Sequence, residues 1–409
     1  MSSACGAEQG LISVDQALAL ILQQVQPLAA QQLDVKQSLN RYLAEDVYAN
    51  IDLPLFSQSA VDGYAICADS VIDAGTTFEL IGEIRAGQVS EVVLQHGQAM
   101  RIFTGAKIPE ATTTVARQEI VQQHGTSQIC LTVSLKPHVD IRDAGEEITT
   151  GQCLAERGQQ LSVGAIAALS MAGVQQVTVM QTPKVAVVVT GDEIAETVED
   201  LASGKIFDAN APLIQAWFQQ RNQQVDIFHI DDSEQAVTQL LDDLSQKYQV
   251  IVTTGGVSVG DYDFIRPVAL ALGFEQVFWK IKQKPGKPMF FATLKNRQQT
   301  PCYLLGLPGN PAAVYVGMQI YTATLLNALQ GNRSAPQWFQ AELSHSLKAD
   351  ARERLLRMSA HFDQAKLVVS SLAKQQSHML SNLMQANCIV RIPAGDVVQA
   401  GQQVYGIFI

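Results

Sequence analysis

The chain has 409 residues, 47% of them apolar and 16% charged. One core rarely grows past roughly 250–300 residues, so several globular domains are expected. A formal net charge of −11 repels phosphodiester backbones, which excludes nucleic acid as an expected main partner and means that any bound anion needs a local basic patch.

The opening MSSACGAEQG lacks the basic end and apolar stretch of a signal peptide, and no apolar run approaches the ~18 residues of a membrane span. No membrane partner is expected, and a cytoplasmic location is. Ser13 and Gln16 form a capping box ahead of Leu18, Ile21, Leu22 and Val25, whose spacing predicts an amphipathic helix ended by Pro27. From about 52 to 160 short β-rich runs (TFELIGEI, AMRIFTG, QICLTVSL) alternate with Gly, Pro and Asp turns and predict a small β domain. LSVGAIAALSMAGV, from Leu161, reads as a helix ending near Gly173. From about 182 strands and helices alternate. VAVVVTG, VDIFHI, VIVTTGG and YLLGLPG read as strands. The helices expected between and after them run from Asn210 through IQAWFQQ (capped by Asp208 or Asn210) and over EQAVTQLLDDLSQ, YDFIRPVALALG and PAAVYVGMQIYTATLLNAL. That alternation predicts a doubly wound, mainly parallel sheet covered on both faces. After about 331, KLVVSSL, CIVRI and QVYGIFI predict a last small β unit. The fold class is therefore α/β plus β, multidomain.

The six cysteines, at 5, 67, 130, 153, 302 and 388, form no Cys-x-x-Cys, and the seven histidines form no His-x-x-x-His. Neither a disulfide framework nor a zinc site is expected. The chemistry is sought where ligands bind in open α/β sheets, beyond the carboxyl ends of the strands. In TGGVSVGDYD, Gly255, Gly256 and Gly260 allow close backbone approach, Thr253, Thr254 and Ser258 add hydroxyls, and the next helix offers free N–H groups to an anion. Asp261 either caps that helix or serves a cation, and Asp263 is read as a metal ligand, since a carboxylate beside an anion seat calls for a cation between them. In GLPGNPAA, Gly309 allows close approach, Asn310 can cap, and Pro311 suits the first helical position. This turn is either a phosphate or ribose cradle or a structural cap. TGDE places Asp192 and Glu193 at a strand end, used or simply facing water. WKIKQKPGKP carries Lys280, Lys282, Lys284 and Lys287, and residues 280, 282 and 284 would share one strand face. An anion surface is favoured over a solvated edge. Asp62-Gly63-Tyr64 and Thr104-Gly105 are by themselves ordinary turn chemistry.

Together these stretches resemble the molybdopterin molybdenumtransferase family, the MoeA type that includes the enzymatic domain of gephyrin. The resemblance rests on SAVDGYA, RIFTGAKIPE, AGEEI, VVTGDEI, GKIFDAN, TTGGVSVGDYDF, WKIKQKPGKP and GLPGNP, in order over roughly 10–400. It implies an elongated α+β domain from 1–52 plus 143–180, a small β domain at 53–142, a molybdopterin-binding α/β domain at 181–330 and a small barrel-like domain at 331–409. It further implies insertion of molybdate into adenylylated molybdopterin with release of AMP, Mg²⁺ as cofactor, and a homodimer. By the same resemblance Asp62, Glu193 and Asp263 match acidic positions tied to metal and catalysis, and Asp231 (with Asp232 competing) another acid. Thr104 lies on the pterin or molybdate side. Lys280 and Lys284 match family lysines near nucleotide or molybdate, Lys287 joins them from the anion-surface reading, Pro308 and Pro311 shape the loop near the ligand, and Arg357 and Ser377 align with molybdate-site positions. One departure stands out: Gly145-Glu146-Glu147-Ile148 replaces the family's Gly-Glu-Asp-Ile, lengthening one carboxylate by a methylene. Rival readings are the preceding adenylylation of molybdopterin and a non-catalytic scaffold. A nicotinamide dehydrogenase is disfavoured by the lack of Gly-x-Gly-x-x-Gly.

Overall fold

The computed structural model describes residues 10–191, 194–195, 197–258, 260 and 263–409. They fall into two units, one of Met1–Gln31, Asn40–Tyr42 and Met180–Ile409 and the other of Gln32–Leu39 and Leu43–Val179.

The larger unit is built on a six-stranded sheet of β1 (Val185–Thr190), β2 (Asp226–Ile230), β3 (Val250–Thr254), β4 (Glu275–Trp279), β5 (Phe290–Lys295) and β6 (Pro301–Leu307). Its order is β2-β1-β3-β6-β5-β4. The first four are parallel, whereas β5 runs antiparallel to both β6 and β4. Alternate residues of β1 and β3 enter different cores. Val185, Val187, Val250 and Val252 pack on one face, and Ala186, Val188 and Ile251 on the other. The sheet is thus covered on both sides, as its near-continuous apolar strands require.

The helix Val14–Gln24 has the expected capping box, with Ser13 Oγ accepting from the Gln16 N–H and the Gln16 side chain accepting from the Ser13 N–H. It buries Val14, Ala17, Leu18 and Ile21 in the same core as Val314 and Leu325 of the long helix Pro311–Leu329, not with residues 143–180. Each such large apolar side chain stabilises by about 1.5–3 kcal/mol. Pro311–Leu329 has the length and hydropathy of a membrane span, 19 residues, yet 78% of that stretch is buried in the protein, so its apolar character serves the core. It contains a π-helical turn at Met318–Thr322.

The C-terminal strands Glu353–Asp363, Lys366–Ser371, Phe339–Leu343, Gln403–Phe408 and Cys388–Ile392 close on themselves, because the first also pairs with the last. The barrel core holds Leu343, Met358, Val369 and Val390. Gln283–Lys284 adds to it, parallel to Glu353–Arg354. The segment 280–287 therefore ties the sheet to the barrel. The expectation that 280, 282 and 284 share one strand face is corrected here. Strand β4 stops at Trp279, Lys280 adopts a left-handed φ of 77°, and only Lys282 and Lys284 alternate outward between buried Ile281 and Gln283.

In the smaller unit, Thr114–Arg117, Gly63–Ile66, Gln98–Ile102, Thr77–Ile84, Gln128–Leu131 and Val121–His124 form another six-stranded sheet. It packs Ile66, Phe78, Ala99 and Ile129 on one face and Ala65, Met100, Ile102 and Val115 on the other. The paired segments Gln58–Ser59 and Ile141–Arg142 flank it in the chain. A separate small core gathers Val35, Leu43, Leu161 and Val179 around the helix Val163–Met171, which Ser162 caps.

Candidate active site

Register alone brings four strand ends to one rim of the larger unit. Thr190 stands opposite Ile230, Val189 opposite Thr254, and Thr254 opposite Leu307. Asp231, Gly191, Gly255 and Pro308 therefore follow at the same edge. This is the carboxyl edge of the parallel strands, where ligands of such sheets bind.

The turn after β3 is a glycine requirement. Gly255 has φ 98° and a Cβ there would lie 2.5 Å from Thr190 Oγ1, while Gly256 has φ 66° and its Cβ would lie 2.5 Å from Ile265 Cγ1. The Gly255 N–H donates to the Leu307 carbonyl at 2.9 Å, and the Ile265 N–H to the Gly256 carbonyl at 3.0 Å. Ser258 and Gly260 are exposed. Asp263 Oδ2 accepts from the Gly260 N–H at 2.6 Å, so the loop aims its own carboxylate back at the rim. Trp279, unnoticed in the sequence, donates from Nε1 to the Val257 carbonyl at 2.9 Å. Lys280 Nζ lies 4.1 Å from the Trp279 ring centroid and Arg266 Cζ 4.0 Å. The Thr253 and Thr254 hydroxyls are buried without a hydrogen-bond partner among the described residues.

In the turn after β6, Pro308 is buried while Gly309 and Asn310 are exposed. Asn310 caps through its backbone carbonyl, which accepts from the Ala313 and Val314 N–H groups, and its side chain makes no capping bond. Pro311 occupies the first turn, and the next N–H, of Ala312, donates to the Ser377 carbonyl at 3.0 Å. Asp208 caps the helix Asn210–Gln220 by accepting from the Asn210 and Ala211 N–H groups. That leaves the buried Asn210 amide to donate to the Gly309 carbonyl at 2.9 Å, stitching two rim loops together. GKIFDAN carried that residue in the sequence, but a cap was the role read there.

Of the lysines, Lys284 Nζ pairs with Asp350 Oδ2 at 3.1 Å, and the Lys287 carbonyl accepts from the Ile281 N–H. Burial pushes the Asp350 carboxyl up, but the Arg352 N–H and the Lys284 ammonium outweigh it and hold the group below the usual carboxylate range. Arg357 is fully buried. Its Nε donates to Asn382 Oδ1 at 2.8 Å, and Nη2 to the Lys374 and Gln376 carbonyls at 3.0 and 3.3 Å. Arg357 thus holds the 374–377 loop from behind, and burial lowers its pKa. Glu193, Asp192 and Asp261 lie outside the described residues.

In the smaller unit, two residues 42 apart in sequence meet. The Thr104 N–H and its hydroxyl both donate to Asp62 Oδ1 at 2.8 Å. Those two bonds, backbone first, lower the pKa of the exposed Asp62 carboxyl, with Arg101 assisting. Arg101 was not singled out in the sequence; its Nη2 donates to Gln118 Oε1 at 2.7 Å. Glu147 is exposed, with its N–H on the Leu53 carbonyl. Among the described residues no three His, Cys, Asp or Glu side chains cluster as a metal site.

Comparisons with known proteins bear on these two sets of residues. The chain matches the family profiles "MoeA N-terminal region (domain I and II)" over residues 12–173, "Probable molybdopterin binding domain" over 186–328 and "MoeA C-terminal region (domain IV)" over 340–407. A molybdopterin molybdenumtransferase of Staphylococcus epidermidis is 33% identical over 392 residues, covering 94% of this chain and 92% of that protein. The Staphylococcus aureus enzyme is 32% identical over 393 residues, with the same coverage. Among solved structures, a molybdopterin biosynthesis moeA protein from Pyrococcus horikoshii OT3 superposes with a TM-score of 0.80 at 23% identity, over 98% of this chain and all of the other. The rim turns and the Asp62–Thr104 pair accordingly belong to an enzyme of molybdenum cofactor biosynthesis: the chain is a member of the molybdopterin molybdenumtransferase, or MoeA, family.

Proposed function

We propose that the chain inserts molybdate into adenylylated molybdopterin in a Mg²⁺-dependent reaction that releases AMP and finished cofactor. The observation that carries this reading is the rim itself. Glycine backbone at 255–256, which tolerates no side chain, lies at the same edge as Gly309, and the lysine segment follows β4 of that sheet. A pyrophosphate needs close-lying N–H donors and cations, and both kinds of group are there.

In this reading Gly255, Gly256, Ser258 and Gly260, with Gly309, Asn310 and Pro311, cradle the phosphates. Lys280, Lys284 and Lys287 offset phosphate and molybdate charge, and Pro308 shapes the turn that carries Gly309 and Asn310. The candidate metal donors are oxygens, as a hard cation prefers. Asp62, in the smaller unit, is kept ionised by two donors from Thr104, Asp263, in the larger, is oriented by the Gly260 N–H, and Glu193 is the third such acid, while Asp231 is a further catalytic acid. Mg²⁺ bound to carboxylates of this kind would spread the negative charge of a pyrophosphate and position water for its cleavage. Thr104 orients Asp62, and Ser377 on the loop backed by Arg357 faces the molybdate side. The reading includes a cytoplasmic homodimer that uses neither nucleic acid nor membrane.

Incubating the protein with adenylylated molybdopterin, Mg²⁺ and molybdate tests it. AMP release that depends on molybdate is the expected result. ATP consumption with unmodified molybdopterin would replace this reading by the adenylylation step, no turnover in either assay would favour a scaffold, and turnover unaffected by losing both Asp62 and Asp263 would remove those acids from the mechanism.

A further inference from the structure

We propose that the cleft beside Asp62, floored by Tyr64 and walled by Arg101, binds a planar nitrogen heterocycle, the ring chemistry shared by pterins and purines. The inference rests on the function proposed above, whose substrate carries one ring of each kind.

The cleft measures ≈ 630 Å³, and its lining includes Tyr64, Leu80, Ile81, Glu83, Arg101 and Gln118. Ligand pockets commonly span about 300–1,000 Å³. It opens because of two sequence choices. Ala99 and Arg101 lie on the same side of the strand Gln98–Ile102, and Ala99 is wholly buried with Tyr64, Ile66 and Phe78. An apolar residue at 101 would extend that core; a guanidinium ends it. In addition, Leu80 pairs with Ala99 but Glu83 with Arg101, so one extra residue is inserted between them. Bulges of this kind bend a strand and re-aim side chains beside sites.

The arrangement suits a flat, edge-polar ligand. Arg101 Cζ lies 4.9 Å from the Tyr64 ring centroid and 5.1 Å from that of Phe103. A guanidinium beside aromatic rings can itself serve as a stacking surface. It is fixed by its bond to Gln118 Oε1 and by Nη1 donating to the Gly63 carbonyl at 3.4 Å. Gln118 offers an amide edge and Glu83 a carboxylate edge, the mixed donors and acceptors that ring nitrogens and exocyclic amino groups require. The cleft also adjoins the candidate catalytic pair, because the Gln118 N–H donates to the Asp62 carbonyl at 3.1 Å.

The test titrates the full chain with free pterin, followed by quenching of the pterin's own fluorescence, and separately with adenosine, followed by calorimetry. Saturable binding of at least one is expected, weakened about tenfold by Arg101→Gln and by a smaller factor by Gln118→Ala. Pterin responding to these variants assigns the cleft to the pterin ring, and adenosine responding assigns it to the purine. No saturable binding of either probe, or affinities that neither variant changes, overturns the proposal. Should Arg101→Gln lower the melting temperature, the exposed Gln118→Ala decides. These readouts need no turnover, so a failure of AMP release would sink the proposed reaction while leaving the cleft to be judged on its own.

Discussion

Replacing Gly256 by alanine tests whether the rim turn is a strict backbone device. The new Cβ would lie 2.5 Å from Ile265 Cγ1 and 3.4 Å from the Ile265 N, at φ 66°. Left-handed backbone costs an L-residue about 1–2 kcal/mol. Overpacking a buried contact costs about 1–3 kcal/mol more, and Ile265 is 1% exposed and cannot swing away into solvent. The sum is about 2–5 kcal/mol, a large share of a typical domain's stability. At about 2–4 °C per kcal/mol, the unfolding transition of the larger unit should fall by about 4–20 °C in calorimetry. Gly309→Ala is the internal control. Its Cβ would only touch Gly255 Cα at 3.7 Å, an ordinary contact without positive φ, so stability should hold while AMP binding weakens through crowding of the rim. A double variant with Ile265→Ala should recover the clash component but not the backbone component, giving non-additive losses. A Gly256→Ala protein that melts within 2 °C of the parent (under about 1 kcal/mol) would refute the reasoning, since the turn would then relax freely.

Thr104→Val removes the hydroxyl donor but keeps the N–H. Asp62, now held below its ordinary range, should titrate at higher pH by NMR. A carboxylate of depressed pKa contributes above its ordinary value and loses that contribution as pH falls through the folded value, so the acid limb of turnover should move upward in the variant. Asp263→Asn can still accept the Gly260 N–H bond, so melting should be unchanged while Mg²⁺ affinity falls at least about tenfold by titration calorimetry; wild-type Mg²⁺ dependence would remove Asp263 from the site. Lys284→Ala loses one half-exposed ion pair, under about 1 kcal/mol, and should weaken molybdate binding with little change in stability; unchanged affinity would count against the lysine segment. Arg357→Lys cannot reach Asn382, Lys374 and Gln376 at once, and should destabilise by about 2–4 kcal/mol in denaturant melts, whereas Ser377→Ala, whose docking contact is through its backbone carbonyl, should leave stability intact.

β1, β3 and β6 were legible because they are buried on both faces and read as nearly continuous apolar runs, as VAVVV does, whereas β2, half-exposed at the sheet edge, was legible through its place between two helical patterns. β4 and β5 were not. Glu275 and Gln276 are exposed at the sheet edge, and nothing local distinguishes an antiparallel FFATLK from a loop flank. The lysine face failed at one residue: alternation holds from 281 to 284, but the left-handed turn at Lys280 depends on where β4 stops, which no local pattern marks. The Asp62–Thr104 bond was reachable only through the resemblance, since each residue alone is turn chemistry and their meeting is set by the strands Gly63–Ile66 and Gln98–Ile102 lying side by side. Arg101 was invisible for the opposite reason. A charge within a strand reads as a solvated face, and its placement over Tyr64 follows from register with two neighbouring strands.

The links between sheet and barrel bear on how an oxyanion site could be assembled within the larger unit. Gln283 is fully buried, accepts from the Tyr321 hydroxyl within the π-helical turn, and donates to the Gly286 carbonyl. Its neighbour Lys284 pairs with Asp350 of the barrel. On the other side of the rim the Ser377 carbonyl meets the first free N–H of the Pro311–Leu329 helix. The barrel therefore grips both ends of that helix's first turns, and the loop carrying Ser377 is in turn backed by Arg357 through Lys374 and Gln376. Ser377 is thus positioned by a backbone bond and by a buried cation, not by an exposed salt bridge. Such contacts are screened little by salt. If molybdate binds between Lys284 and Ser377, added salt should weaken its capture by competing for the lysine, while leaving the loop that presents Ser377 in place. A binding constant and a barrel melting temperature measured over the same salt series should then part company, and a parallel decline of both would show that surface charge, not the buried arginine, holds the loop.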